Sequence, residues 1–243
     1  MIDQNIAVYE KNNIYEFDNN IILHEYPRRI AEILIKEEAA AQSCLELGIG
    51  HGYSTEFFSK FFKKHIVLEG DSKIIDRFRK KFNHIRTEII ETYFEQWDTK
   101  EKFDVIIMGF VLEHVDTPTA LIQKFKNFLK PNGRMFLAVP NAESLHRRIG
   151  FYSGLLNDLT TLSDADLALG HKRYYTLQEL RQQILESHLK ITREEGIFLK
   201  PLTTSQMLQL NISETIMKGF VAAGRDYPEL CCSLLVEAEA EHP

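Results

Sequence analysis

Two stretches of the chain carry residue types suited to chemistry. In "LELGIGHGYST", residues 45–55, Glu46 precedes Gly48, Gly50 and Gly52 at alternate positions. Glycines so spaced let a backbone turn sharply and approach a ligand with no Cβ in between. In "LALGHKRYYTLQEL", residues 167–180, His171, Lys172, Arg173, Tyr174 and Tyr175 crowd together. An imidazole can take a proton near neutral pH, a phenol can orient a hydroxyl, and a guanidinium can grip an anion in a fork. Two smaller groups join them: His114 in "LEHV", and His146, Arg147 and Arg148 in "LHRR". The end of the second stretch has a sufficient structural explanation, because Thr176 and Glu179 form a Thr-x-x-Glu capping box. Gly170 to Tyr175 is left for function.

The elements that must position these residues alternate between short apolar runs and amphipathic stretches, the pattern of a parallel sheet wrapped by helices. A leading helix over "EYPRRIAEILIKEEAA" puts Ile30, Ile33 and Leu34 on one face. Strands are predicted over "SCLELG", "HIVLEG", "TEIIETY", "FDVIIMGF" and "GRMFLAVPN". Helices fall between them: one from Tyr53 to about Lys63, one over "SKIIDRFRKKF" with Ile74, Ile75, Phe78 and Phe82 repeating, and one begun by Thr117 and Pro118 and stopped by Pro131 and Gly133. Residues 141–175 break the rhythm with a long polar excursion. After the helix "TLQELRQQILESH" come a sixth strand in "LKITREEGIFL", a helix near 204–223 and a last strand "CCSLLVEAEA", the two final strands pairing at one edge past Pro228. Ligands in such open sheets bind at the carboxyl ends of the strands, which gathers Gly48, Glu69, Phe110, His114 and Asn141 at one rim.

Composition narrows the partners. With 44% hydrophobic and 26% charged residues in 243, the chain reads as a soluble globular protein without a membrane span, a secretory leader or a transit peptide, and so as cytoplasmic. A net charge of −6 disfavours nucleic acid, whose binders carry a basic stripe. Cys44, Cys231 and Cys232 make neither a disulfide framework nor a zinc site, and no metal is expected. A small-molecule partner is favoured, and a homodimer is compatible with the reading. The dinucleotide fingerprint wants a third glycine three positions after the second, where this chain has Tyr53. The spacing therefore suits a ligand without a pyrophosphate and disfavours an NAD dehydrogenase. Glu69, at the end of the second strand, is placed to accept two hydrogen bonds from a ribose diol, while Asp71 or Ser72 caps the next helix.

On "LELGIGHG", "VLEGD", "FDVIIMGFVLEHV" and "LKPNGRMFLAVPN", all in order, the chain resembles the class I, Rossmann-like S-adenosylmethionine-dependent methyltransferases. The resemblance implies a seven-stranded, mostly parallel α/β sheet with an antiparallel edge strand and helices on both faces. It implies one domain, with residues 1–42 as an N-terminal helical cap, 43–141 as the cofactor core, 142–175 covering the acceptor, and 176–243 completing sheet and helices. Gly48, Gly50 and Gly52 would line the methionine part of the cofactor, Glu46 would help hold its amino group directly or through water, and Glu69 with Gly70 would take the ribose. Glu91 and Phe94, within residues 91–95, would flank the adenine, and Gly109 and Phe110 would face the amino-acid end. Arg28 or Arg29 would pair with the cofactor carboxylate or lie on a solvated helix face.

For the acceptor, the excursion offers His146, Arg147, Arg173 and Tyr175, with Asn141 either lining the mouth or capping a helix. Arginines in that mouth would suit an anionic group. The expected reaction is O-methylation of a sugar or secondary-metabolite intermediate, yielding S-adenosylhomocysteine, with His171 as first-choice base, His114 as second and Tyr174 orienting the acceptor. N- or C-methylation of an amino sugar, amino acid or aromatic intermediate is the second enzymatic reading, and a non-catalytic cofactor-binding partner the reading from another class. The pattern "PNAESLHRR … GHKRYYTLQEL … GIFLKPLTTSQM" resembles a bacterial subgroup acting on small biosynthetic intermediates, and Lys200 and Gln206 belong to it without an assigned role.

Overall fold

Seven strands build one sheet, and its strand order decides where a ligand can go. The structure, a computed structural model, describes residues 13–39 and 41–240, so the first twelve residues and residue 40 of the expected N-terminal cap lie outside the described residues. The strands are β1 (Ser43–Leu47), β2 (Lys64–Glu69), β3 (Glu88–Glu91), β4 (Phe103–Gly109), β5 (Leu129–Pro140), β6 (Leu189–Ile197) and β7 (Ser233–Ala240). They lie in the order β3-β2-β1-β4-β5-β7-β6. β7 runs antiparallel to both neighbours and sits one place in from the edge, where β6 is outermost. The final pair therefore closes the sheet as expected, with β7 wedged between β5 and β6 rather than on the rim.

The helices are α1 (Asn13–Lys36), α2 (Tyr53–Phe61), α3 (Ser72–Lys81), α4 (Pro118–Lys126), α5 (Leu145–Tyr152), α6 (Asp164–Ala168), α7 (Leu177–Glu186), α8 (Thr204–Gln209) and α9 (Glu214–Gly224). α1 begins well before the periodic segment and contains Pro27. That proline costs one backbone hydrogen bond, which packing of Tyr26, Ile30, Ile33 and Leu34 into the core offsets. α3 starts at Asp71, whose carboxylate accepts from the Lys73 amide at 2.8 Å. α7 carries the Thr176–Glu179 capping box.

Three local expectations are corrected. Thr117 precedes α4 but makes no side-chain cap, leaving Pro118 at the first position to set the helix start. β5 begins at Leu129, ahead of Pro131 and Gly133, because a bulge with Asn132 at φ 61° lets the strand start opposite Phe103 and resume opposite Val105. The expected helix near 204–223 is two helices, broken where Asn211 takes φ 46° and restarted by a Ser213 cap.

Alternate residues of each central strand face opposite layers. Leu45, Leu47, Ile106 and Met108 pack with α4 and α7 residues such as Leu121, Phe125, Leu180 and Ile184. Cys44, Val105 and Ile107 face the other way, onto Tyr26, Ile30 and Leu34 of α1 and Phe58 of α2. Apolar surface is thus removed from water on both faces, the condition for parallel strands. β1 and β4 are neighbours whose crossovers leave in opposite directions, so a crevice opens at their carboxyl ends. Among the described residues, no helix is long and apolar enough to cross a membrane.

Candidate active site

The crevice is a cavity of about 600 Å³. One end is walled by the loop after β1, where Gly48, Gly50 and Gly52 have φ of 79°, 53° and 83°. Gly52 has a second reason to be glycine: a Cβ there would lie 2.5 Å from the Phe78 ring and 2.8 Å from Phe82. The loop is held by Gly48 N–H donating to Leu68 O at 2.8 Å and Ile49 N–H donating to Glu69 Oε2 at 3.0 Å. Glu69 Oε1 accepts from the Asp71 amide at 3.0 Å, so this carboxylate ties two loops together at the sheet's rim. Gly70 lies under the exposed Tyr93 ring. Glu91 ends β3 opposite Glu69, and Phe94 packs toward Gly48 from the core. Glu69, Gly70, Glu91 and Phe94 surround this end without forming its wall.

Opposite the glycines stand Gly109 and Phe110, both on the wall. Gly109 allows close approach of Tyr26, whose hydroxyl would be 2.6 Å from a Cβ there. Phe110 has φ 58°, a conformation costly for a large side chain, and meets the Tyr26 ring edge-on at 5.6 Å. The pairing of Arg28 or Arg29 with the cofactor carboxylate is not supported, and Glu46 is left only a water-mediated role. Arg28 is half exposed and spends its guanidinium on Glu25 and Glu32, while Arg29 is bound to Glu195 at 2.5 Å, so neither reaches the cavity. Glu46 is 1% exposed and sits behind the wall, its carboxylate 3.1 Å from His65 Nε2, too deep for direct contact with a ligand.

The other end of the cavity is polar. His114 and His171 meet edge to face with ring centres 4.8 Å apart. His114 Nδ1 is 3.3 Å from Gly170 O, and burial together with the neighbouring His171 charge pulls its ring down to about 4. His171 Nδ1 is 3.3 Å from Asp166 Oδ1. Burial by itself would push Asp166 up, but its hydrogen bonds with His171 and Ser163 hold it at about 2. Tyr174 donates to Asp166 Oδ2 at 3.0 Å, and burial pushes its phenol well above the ordinary range, so it stays a donor. Glu113, next to His114, is fully buried, neither carboxylate oxygen has a hydrogen-bond partner, and burial lifts its carboxyl to about 7. One ligand atom each from Glu113, His114 and His171 lie within 4.8 Å of one another, a spacing that could hold a cation.

A family model described as "Methyltransferase domain" matches residues 19–194. The chain belongs to this methyltransferase family. It is 31% identical over 125 residues to the ubiquinone biosynthesis O-methyltransferase of Glaesserella parasuis, covering 47% of this chain and 52% of that protein. It is 25% identical over 191 residues to the malonyl-[acyl-carrier protein] O-methyltransferase of Priestia megaterium, covering 78% and 65%. The methyltransferase domain thus spans about half to two thirds of the length of these relatives. In fold it is similar to the magnesium protoporphyrin IX methyltransferase of Synechocystis PCC 6803, solved with SAH bound, at TM-score 0.65 and 13% identity over 98% of this chain and 94% of that one.

Several acceptor-side expectations for this methyltransferase are corrected by packing. Tyr175 is 1% exposed and donates to Leu112 O at 3.3 Å, stitching the excursion to the core instead of facing a ligand. Arg173 lies beside the Tyr175 hydroxyl and is not on the cavity wall. Asn141 is on the wall, but its amide donates to Cys231 O at 2.8 Å and its Oδ1 accepts from Glu143 N at 2.9 Å, so it is a structural pin. Arg147 lines the cavity with its fork closed on Leu159 O and Thr161 O and its plane 4.2 Å from the Tyr174 ring centre. Arg148 pairs with Glu143 and Lys172 with Asp116. His146 does line the cavity, with Nδ1 unpartnered. Gln206 proves to cap α8 through Thr203.

Sequence reasoning missed Tyr26, Glu113, Asp18 and Ser144, all on the wall. Tyr26 was findable, being four residues before Ile30 on the buried helical face. Glu113 shows only as an acid before His114; that its carboxylate is buried without a hydrogen-bond partner among the described residues is a tertiary fact.

Proposed function

We propose that the chain is an S-adenosylmethionine-dependent O-methyltransferase acting on a small hydroxylated acceptor. The observation that carries this reading is one continuous cavity joining the glycine loop after β1 to the His171–Asp166 pair. The residues present suit the cofactor: positive-φ glycines admit close approach, Tyr26 and Phe110 give an apolar wall, and Glu69 stands at the strand end where a ribose diol would lie, with Glu91 and Phe94 beside it. Bound there, the cofactor supplies an electrophilic methyl group whose C–S bond electrons leave with sulfur, giving S-adenosylhomocysteine.

The protein's part is alignment and one proton. With Nδ1 turned to Asp166, His171 has Nε2 left to take the acceptor's O–H proton, and the Asp166 carboxylate stabilises the imidazolium that forms. His114, held neutral by burial, acts as a fixed neighbour rather than the base. Tyr174 anchors Asp166 from the other side. The anionic acceptor expected from the basic clusters loses its support, because Arg147, Arg148 and Lys172 are paired within the protein and Arg173 lies off the wall. A second reading, N-methylation, is favoured by the unpartnered Glu113 carboxylate, which could accept from an amine held in line with the methyl group.

The test is calorimetry with S-adenosylmethionine, then turnover of His171→Gln on a hydroxyl acceptor and on its amine analogue. Saturable binding, with a loss of about a hundredfold in kcat confined to the hydroxyl, is expected. No binding at high micromolar cofactor refutes the reading, and equal loss on both acceptors removes His171 as base.

A further inference from the structure

Away from the histidines the cavity has a second polar wall, assembled from segments distant in sequence. Lys200, just past β6, is 5% exposed, and its ammonium donates to Asp18 Oδ2 on α1 at 2.6 Å and to Thr204 Oγ1 at the start of α8 at 3.1 Å. The Thr204 hydroxyl donates to the same Asp18 oxygen at 2.7 Å. Asp18 Oδ1 is left buried with no hydrogen-bond partner among the described residues. An ammonium has three N–H bonds, so one lies beyond those two contacts. Ser144 and His146 share this cavity. Ser144 is 0% exposed with Oγ unpartnered, and His146 Nδ1 is buried and unpartnered too. Burial, with the charges of Lys200 and Arg147, pulls the His146 ring down to about 3, so it is neutral and offers one N–H and one lone pair.

Buried polar atoms in native proteins are nearly always paired, so several unpaired ones on one wall point to a ligand that pairs them. Their chemistry is mixed. Asp18 Oδ1 wants a donor, Lys200 offers one, and Ser144 and His146 can do either. Their charge is balanced, since Lys200 and Asp18 cancel. Arg147 keeps its charge while its Nε and one terminal nitrogen donate to the Leu159 and Thr161 carbonyls, and Glu113 and Asp166 line the same cavity. A carboxylate or phosphate would set its charge against the Asp18, Glu113 and Asp166 carboxylates of the same cavity, and an ammonium would sit against Lys200 and Arg147. A hydroxyl satisfies both needs at once.

We propose that Asp18, Lys200, Ser144 and His146 form a subsite for an uncharged polyhydroxyl portion of the acceptor, such as a sugar ring, held while another of its hydroxyls faces His171. This rests on reading the cavity as a methyltransferase acceptor chamber.

The test uses the full chain loaded with S-adenosylhomocysteine and three probes, methyl glucopyranoside, glucuronate and glucosamine, followed by saturation-transfer NMR. The neutral sugar binds best in the unsubstituted protein. Ser144→Ala, which removes a hydroxyl with no hydrogen-bond partner among the described residues, weakens it about fivefold, and Asp18→Asn and Lys200→Met about tenfold or more, with S-adenosylhomocysteine affinity unchanged. Preference for glucuronate lost only in Lys200→Met, preference for glucosamine lost only in Asp18→Asn, absence of neutral-sugar binding, or equal binding in Ser144→Ala each overturn the subsite. Failure of S-adenosylhomocysteine to bind overturns the cofactor reading instead.

Discussion

Replacing Glu113 with Gln removes a charge and keeps the shape, and the fold makes the consequence depend on pH. Glu113 is fully buried, and neither oxygen is hydrogen-bonded. Burial raises its carboxyl from an ordinary 4.5 to about 7, with the His171 charge only partly opposing. A group whose folded proton affinity exceeds its unfolded one supports the fold while protonated, and that support is present below 4.5 and lost as pH rises through 7. At about 1.4 kcal/mol per tenfold in proton affinity, ionised Glu113 costs the fold about 3 kcal/mol at pH 8.5 and nothing at pH 4.5. Glu113→Gln should therefore be more stable than the parent by about 3 kcal/mol at pH 8.5, the two converging near pH 4.5. Urea unfolding followed by circular dichroism at both pH values gives the difference directly. An identical stability gap at the two values would show that Glu113 is paired or solvated, and would remove the dry carboxylate from the account of the site.

Gly52→Ala forces a Cβ to within 2.5 Å of Phe78 at φ 83°, so melting temperature should fall and S-adenosylmethionine affinity should drop at least tenfold by calorimetry. The Asp166 carboxyl is held at about 2, below its ordinary 3.8, so its contribution of about 2 kcal/mol is present above 3.8 and lost as pH falls through 2. The stability gap between parent and Asp166→Asn, read by denaturant titration, should shrink across that window. Glu113, His114 and His171 are close enough to hold a divalent cation. If His171 is the base, turnover survives exhaustive EDTA and gains nothing from added Mg²⁺, Mn²⁺ or Zn²⁺; loss on chelation and rescue by one of them would make His171 a ligand.

Much of the architecture is local and so was readable from residue order. Short apolar runs marked the strands and period-3.6 patterns most helices, because each element buries one face or two on its own account. The Thr176–Glu179 box was legible because both partners lie within one turn. Where local signals misled, a neighbour across the sheet was responsible. The Pro131–Gly133 segment is a bulge held by β4 instead of a helix stop, and Asn211 breaks a helix that periodicity would continue.

At the site, the glycine loop and His114 are brought to one rim by strand order, since strand ends converge wherever β1 and β4 are neighbours, whereas the contact of His114 with His171 is tertiary. Which charges are free is tertiary too. Arg28, Arg147, Arg148, Lys172 and Arg173 look alike along the chain, and the fold pairs or turns away each of them. Asp18 meets Lys200 across 182 positions, a contact that no local rule encodes. Side-chain type and spacing determined what chemistry the chain could do; burial, which sets whether a charge is paired, solvated or stranded, was decided only when the sheet closed around them.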